Sequence, residues 1–113
     1  MALIQEAVNE ITIAIPKQRV DSANARQFEQ DLLDVIKNKA KKVLVDFRDI
    51  DYISSAGLRV ILLSAKTAKA TGVPFALCSM KDKIKEVFVV SGFAKILSIH
   101  PSREIAIQAM SSN

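Results

Sequence analysis

Cysteine occurs once in these 113 residues, histidine once, tryptophan not at all, and glycine and proline three times each. The single cysteine, Cys78, cannot close a disulfide within the chain. It lies in an apolar stretch and reads as a buried reduced thiol, because unpaired cysteine behaves as a small hydrophobe. Without a disulfide framework, a cytoplasmic protein is expected rather than a secreted one. No His, Cys or carboxylate cluster has metal-ligand spacing, and no serine or cysteine stands in a nucleophile-elbow pattern with a base to serve it. The glycines, Gly57, Gly72 and Gly92, never stand in G-x-G order, so no phosphate-cradling loop is expected. An enzyme is therefore not expected, and neither a cofactor nor a metal is called for.

Long apolar runs are missing too. Val60–Leu63 and Val87–Val90 fall far short of the roughly 20 residues that cross a bilayer, and Met1–Asn9 carries acid and amide rather than the basic-then-apolar order of a signal peptide. A soluble protein without membrane insertion is expected. Sixteen Lys and Arg against twelve Asp and Glu leave a net charge of +4. The lysines scatter, Lys39 among them, and no aromatic residues interleave with them. That pattern is a solvated surface, and direct nucleic-acid binding is not expected.

Half of the residues are apolar, sufficient for one core, and a single domain over 1–113 is expected. Along the chain the hydrophobic period switches between two and 3.6, the pattern of an α/β domain. Ile11, Ile13 and Ile15 alternate in a strand, with a weaker strand over residues 2–8 paired to it through Asn9-Glu10. Over Ser22–Lys39 the residues Ala25, Phe28, Leu32, Val35 and Ile36 share a helical stripe, for which Asp21, Ser22 or Asn24 could serve as cap and Asn24 with Gln27 has capping-box spacing. Val43–Phe47 reads as a buried central strand. The helix Ser55–Ala70 carries Leu58, Ile61, Leu62, Ala65 and Ala68 or Lys69 on its core stripe and stops at Gly72. Then come a strand over Val73–Ser79, a helix over Lys81–Ser91, a short strand over Ile96–Ile99 and a last helix over Pro101–Met110. A mostly parallel sheet of about five strands with about four helices packed on it is the natural architecture.

Chemistry concentrates at the junction Asp49-Ile50-Asp51-Tyr52-Ile53-Ser54-Ser55-Ala56-Gly57-Leu58, where two hydroxyls arrive at a helix start. One reading is structural, with Ser54 as N-cap and Ser55 in the first turn. The other is a regulatory hydroxyl, since a phosphate at a helix N-terminus meets unpaired amides and the positive end of the helix. Gly57 would leave the neighbouring surface open to a partner.

Val43-Leu44-Val45-Asp46-Phe47 followed by Tyr52-Ile53-Ser54-Ser55-Ala56-Gly57-Leu58 resembles the signature of STAS domains (sulphate transporter and anti-sigma factor antagonist), bacterial anti-sigma factor antagonists in particular. A second motif, Phe88 with Ser91-Gly92-Phe93 and Lys95-Ile96, resembles that family's Phe-x-x-Ser-Gly-Leu-x-Lys-Ile segment, and Asp21 falls where the family carries an acid before its first helix. The resemblance implies a STAS fold and a partner-switching regulator. Such a protein binds a serine kinase that is also an anti-sigma factor, is switched by phosphorylation, and is restored by a serine phosphatase. Carried over, Ser55 is the phospho-acceptor. Ser54 stands at the family's Asp position and becomes a second candidate, and Arg59 stands where a second Gly is common. Asp21, Ser54, Ala56, Gly57, Arg59, Val60, Leu63 and Lys66 form the expected partner-binding set, with Val60 and Leu63 taken to lie off the core stripe. A STAS accessory subunit of an anion or lipid transport system is the alternative.

Overall fold

The computed structural model describes residues 3–38 and 40–111; residue 2 of the first expected strand and Lys39 at the end of the first expected helix lie outside them. β1 (Ile4–Val8) and β2 (Ile11–Ile15) form an antiparallel hairpin. Its two turn residues, Asn9 and Glu10, both take positive φ, 51° and 68°, as a two-residue turn that follows strand twist requires. β2 pairs in parallel with β4 (Lys42–Asp46), β4 with β6 (Phe75–Cys78), and β6 with the two-residue β7 (Ile99–His100), giving the order β1-β2-β4-β6-β7. Four helices, α1 (Ala25–Asn38), α2 (Ser55–Thr71), α3 (Asp82–Val90) and α4 (Arg103–Ser111), pack on this sheet. The mostly parallel five-stranded sheet with four helices is the architecture expected.

The period of two along β4 divides the core. Val43 and Val45 face α1, α2 and α3, where Phe47 meets Phe88 edge-on at 5.9 Å between ring centres. Leu44 faces the other way, with Ile11, Ile13, Ile15, Ala76 and Cys78, under Ala106 and Met110 of α4. Burial pushes the Cys78 thiol up to about 11, the state of an unreactive core cysteine.

Several local expectations change. The strand expected over Ile96–Ile99 is reduced to β7, which starts only at Ile99, and a 3-10 turn, Phe93–Lys95, comes just before the expected segment. The Phe93 carbonyl accepts from the amides of both Ile96 and Leu97, each at 3.1 Å, which ties up donors a ladder would need. The cap of α1 is built between Asp21 and Asn24, not between Asn24 and Gln27. The Asp21 carboxylate accepts from the Ala23 amide at 2.9 Å and the Asn24 amide at 3.3 Å, while Asn24 Oδ1 accepts from the Asp21 amide at 2.9 Å. Gln27 donates instead to Asp31, one turn on.

The core stripe of α2 keeps Ile61 and Ala68 from the expected one but is otherwise rotated from it. Gly57, Val60, Ile61, Ser64 and Ala68 are buried, whereas Leu58, Leu62 and Ala65 are half-buried. Three of the five buried positions are small, so α2 lies close against its neighbours and its longer aliphatic residues flank the contact. Val60, 3% exposed, is therefore part of the core and not off its stripe. Ser64 is fully buried, and its hydroxyl has no hydrogen-bond partner among the described residues. A buried unsatisfied polar group costs about 1–3 kcal/mol, and alanine is the better helix former. Ser64→Ala is accordingly expected to stabilise the protein by about 1 kcal/mol, seen as a higher urea midpoint; an unchanged or lower midpoint would show that the hydroxyl is satisfied.

Candidate functional site

Two short strands that the hydrophobic pattern does not reveal, β3 (Gln18–Val20) and β5 (Ile50–Ile53), pair in parallel apart from the main sheet. They position the start of α2. The Ser54 amide donates to the Val20 carbonyl at 2.9 Å, which ties the residue before the helix to β3. Ser54 then has extended φ and ψ of −88° and 173°, and its Oγ accepts from the Gly57 amide at 3.2 Å. Its carbonyl takes the Leu58 amide at 2.9 Å. Ser54 is thus the N-cap, with amide, hydroxyl and carbonyl all engaged.

Ser55, the next residue, is exposed, and its hydroxyl makes no hydrogen bond among the described residues. Neighbouring hydroxyls therefore have opposite environments, one locked and one open. Ser55 lines a groove of about 360 Å³ between α1 and α2. Ser22, Arg26 and Glu29 form its α1 side, and Ala56, Arg59 and Val60 continue its α2 side. From Ser55, the exposed residues Arg59, Leu63 and Lys66 follow at helical spacing and make one stripe along α2, with Leu63 at 39% exposure between two cations.

The other expected partner-binding residues are placed differently. Asp21 is committed to the α1 cap and to an ion pair with Arg19 at 2.6 Å. Val60 contributes to the groove from within the core. Gly57 does not open the surface; it faces inward. A Cβ there would lie 2.8 Å from Ile53 Cγ1, 2.9 Å from Val20 Cγ1 and 3.0 Å from the Val20 carbonyl oxygen. The glycine is needed so that the first turn of α2 can seat on β3 and β5. Overpacking costs about 1–3 kcal/mol, against a helix-propensity gain of about 1 kcal/mol for alanine. Because one of the crowded atoms is backbone, Gly57→Ala is expected to be net destabilising, seen as a lower urea midpoint. A midpoint at or above that of the parent would mean that the contact can relax.

The acids of the junction are held by lysines. Asp49 accepts from Lys17 Nζ at 2.7 Å and Asp51 is paired with Lys81, and these hydrogen bonds keep both carboxyls below the usual carboxylate range. Two features beside the site escape sequence reasoning. Arg26 carries no signal in the sequence beyond its polarity, and its place in the same groove as Ser55 depends on how two helices pack. Arg19 lies over the half-exposed Tyr52 ring at 5.1 Å, a pair that exists because β3 meets β5.

No helix among the described residues is long and apolar enough to cross a membrane. The STAS domain family matches residues 3–106. A protein of Bordetella bronchiseptica named as a candidate anti-sigma factor antagonist, BtrV, is 39% identical over 109 residues, which cover 96% of this chain and 94% of that protein. Among solved structures, a candidate anti-sigma factor antagonist from Thermotoga maritima superposes with a TM-score of 0.89 at 23% identity, over 95% of this chain and 92% of that one. The phosphorylated form of the Bacillus cell fate determinant SpoIIAA superposes with a TM-score of 0.73 at 17% identity, over 96% and 99%. These two likenesses concern the fold alone. The family match along nearly the whole chain and the Bordetella relative go further: the chain belongs to the STAS domain family and is similar to proteins named as anti-sigma factor antagonists.

Proposed function

We propose that this protein is a cytoplasmic partner-switching regulator, a single STAS domain over 1–113 that acts by binding rather than catalysis. It docks on a serine kinase that is also an anti-sigma factor, loses that affinity when phosphorylated on Ser55, and regains it through a serine phosphatase. The observation that carries the reading is the division of labour between adjacent hydroxyls. Ser54 is occupied as the helix cap, whereas Ser55 is exposed and, among the described residues, without a hydrogen bond at the head of the stripe Ser55, Arg59, Leu63, Lys66. A kinase can reach the second oxygen without unfolding the helix start. With Asp49 and Asp51 paired to lysines, the base that takes the hydroxyl proton comes from the kinase.

Incubation with the cognate serine kinase and ATP, followed by peptide mass analysis, tests this directly. Phosphate on Ser55 is expected. Phosphate on Ser54 alone would reassign the acceptor, and an unmodified chain with a kinase active on another substrate would sink the reading. The departures from the family signature, Ser54 at the Asp position and Arg59 at a Gly position, favour a second reading as a STAS subunit of a transport system. Recovery of a transport ATPase subunit and no kinase from the native host would select it.

A further inference from the structure

We propose that the groove between α1 and α2 is a phosphoryl-holding site, in which the guanidinium groups of Arg26 and Arg59 engage the phosphate of modified Ser55. This rests on the reading of Ser55 as the acceptor and adds how the modified state is held. Arg26 comes from α1 and Arg59 from α2, and both line the same groove as the Ser55 hydroxyl. Neither makes an ion pair among the described residues, whereas Lys17, Arg19, Lys41, Arg48, Lys81 and Arg103 all do. Two cations without a carboxylate partner thus face a hydroxyl without a hydrogen bond.

The groove, about 360 Å³, is large against the roughly 30 Å³ that one water occupies in the liquid, so a phosphoryl group and bridging waters fit. A planar guanidinium matches phosphate oxygens with paired N–H donors. Glu29 is the opposing charge on the same wall. With two arginines and one glutamate the groove is formally +1, and a phosphoryl dianion brings it to about −1. Modification therefore inverts the local charge and also draws Arg59 off the docking stripe toward its own chain. The switch subtracts a contact from the partner as well as adding repulsion.

The test uses the full chain with phosphoserine installed at position 55 by encoded incorporation, so that no kinase is needed, and follows the phosphorus resonance against pH. The groups facing the phosphoryl are Arg26, Arg59 and Glu29. Its second ionisation, ordinarily near pH 6, is expected about one unit lower, because nearby cations favour the dianion. Arg26→Gln and Arg59→Gln each restore part of the shift, the double variant restores nearly all of it, and Glu29→Gln deepens it. All three residues are on the surface of the groove, and circular dichroism confirms that the variants fold. An identical titration in the parent and the double variant would overturn the clamp. Failure of a kinase to modify Ser55 would instead remove the proposed function and leave this titration as it is.

Discussion

Replacing Arg103 by alanine is expected to lower the unfolding free energy by about 3–5 kcal/mol, a large part of the roughly 5–15 kcal/mol that holds a domain together. The reason is Asp46, the polar end of the central strand, whose side chain is fully buried. One carboxylate oxygen accepts from the Arg48 amide at 2.9 Å and the other from Arg103 Nε at 2.9 Å. Arg103 also reaches Glu6 on β1 at 2.6 Å, so one side chain joins α4, the sheet centre and the sheet edge. Burial opposes its charge, but the hydrogen bonds to Glu6 and Asp46 outweigh that and raise its pKa above the usual value. Removing Arg103 leaves a carboxylate in the core whose remaining cation, Arg48, stands 3.9 Å away and is half exposed.

The pair is asymmetric, and that makes the prediction specific. Asp46→Asn removes the buried charge but keeps an acceptor for the Arg48 amide, and Arg103 retains its ion pair with Glu6, so this variant costs less than Arg103→Ala. Adding Arg103→Met to Asp46→Asn costs less than Arg103→Ala does alone, because no buried charge is left unpaired. Urea midpoints of the four proteins decide it. If Arg103→Ala matches the parent, α4 is not held by this pair.

The same pair illustrates how far the sequence could be read. The interruption of an apolar strand by Asp46 is visible in one dimension. Its partner lies 57 residues on, on a helix whose amphipathic pattern only marks Arg103 as polar. The alternation in β2, the stripe of α1 and the glycine stop of α2 are local signals, and the structure follows them. β3 and β5 carry no such signal. They are three and four residues long, and Gln18, Arg19, Asp51 and Tyr52 are exposed, so no alternating apolar face announces a strand. α2 misleads for a different reason. It meets α1 on one side and the strands on another, so that aliphatic residues occur around much of its circumference. The small residues Gly57, Ser64 and Ala68 mark the closest contact, and hydrophobicity alone ranks them low. The junction residues stand out from spacing, but which hydroxyl is engaged depends on the hydrogen bond from Ser54 to Val20, a contact with a strand the pattern does not reveal.

Separate consequences follow for the two serines. Ser55→Asp is expected to weaken binding to the kinase partner by about 100-fold, the equivalent of about 2.8 kcal/mol, because like-charge placement at an interface costs several kcal/mol and this residue heads the exposed stripe. Ser55→Ala should bind as the parent does, resist phosphorylation and leave the urea midpoint unchanged, since its hydroxyl makes no hydrogen bond among the described residues. Ser54→Ala should do the reverse. It removes the oxygen that accepts from the Gly57 amide, costs about 1 kcal/mol of stability as lost N-caps do, and leaves phosphorylation at position 55 intact. Calorimetric affinities for the kinase, urea midpoints and phosphate stoichiometry of the three variants separate cap from switch. Should Ser54→Ala abolish phosphorylation while Ser55→Ala destabilises the fold, the assignments of the two hydroxyls are exchanged. Should Ser55→Asp bind as tightly as the parent, charge at the head of α2 is not what the partner reads.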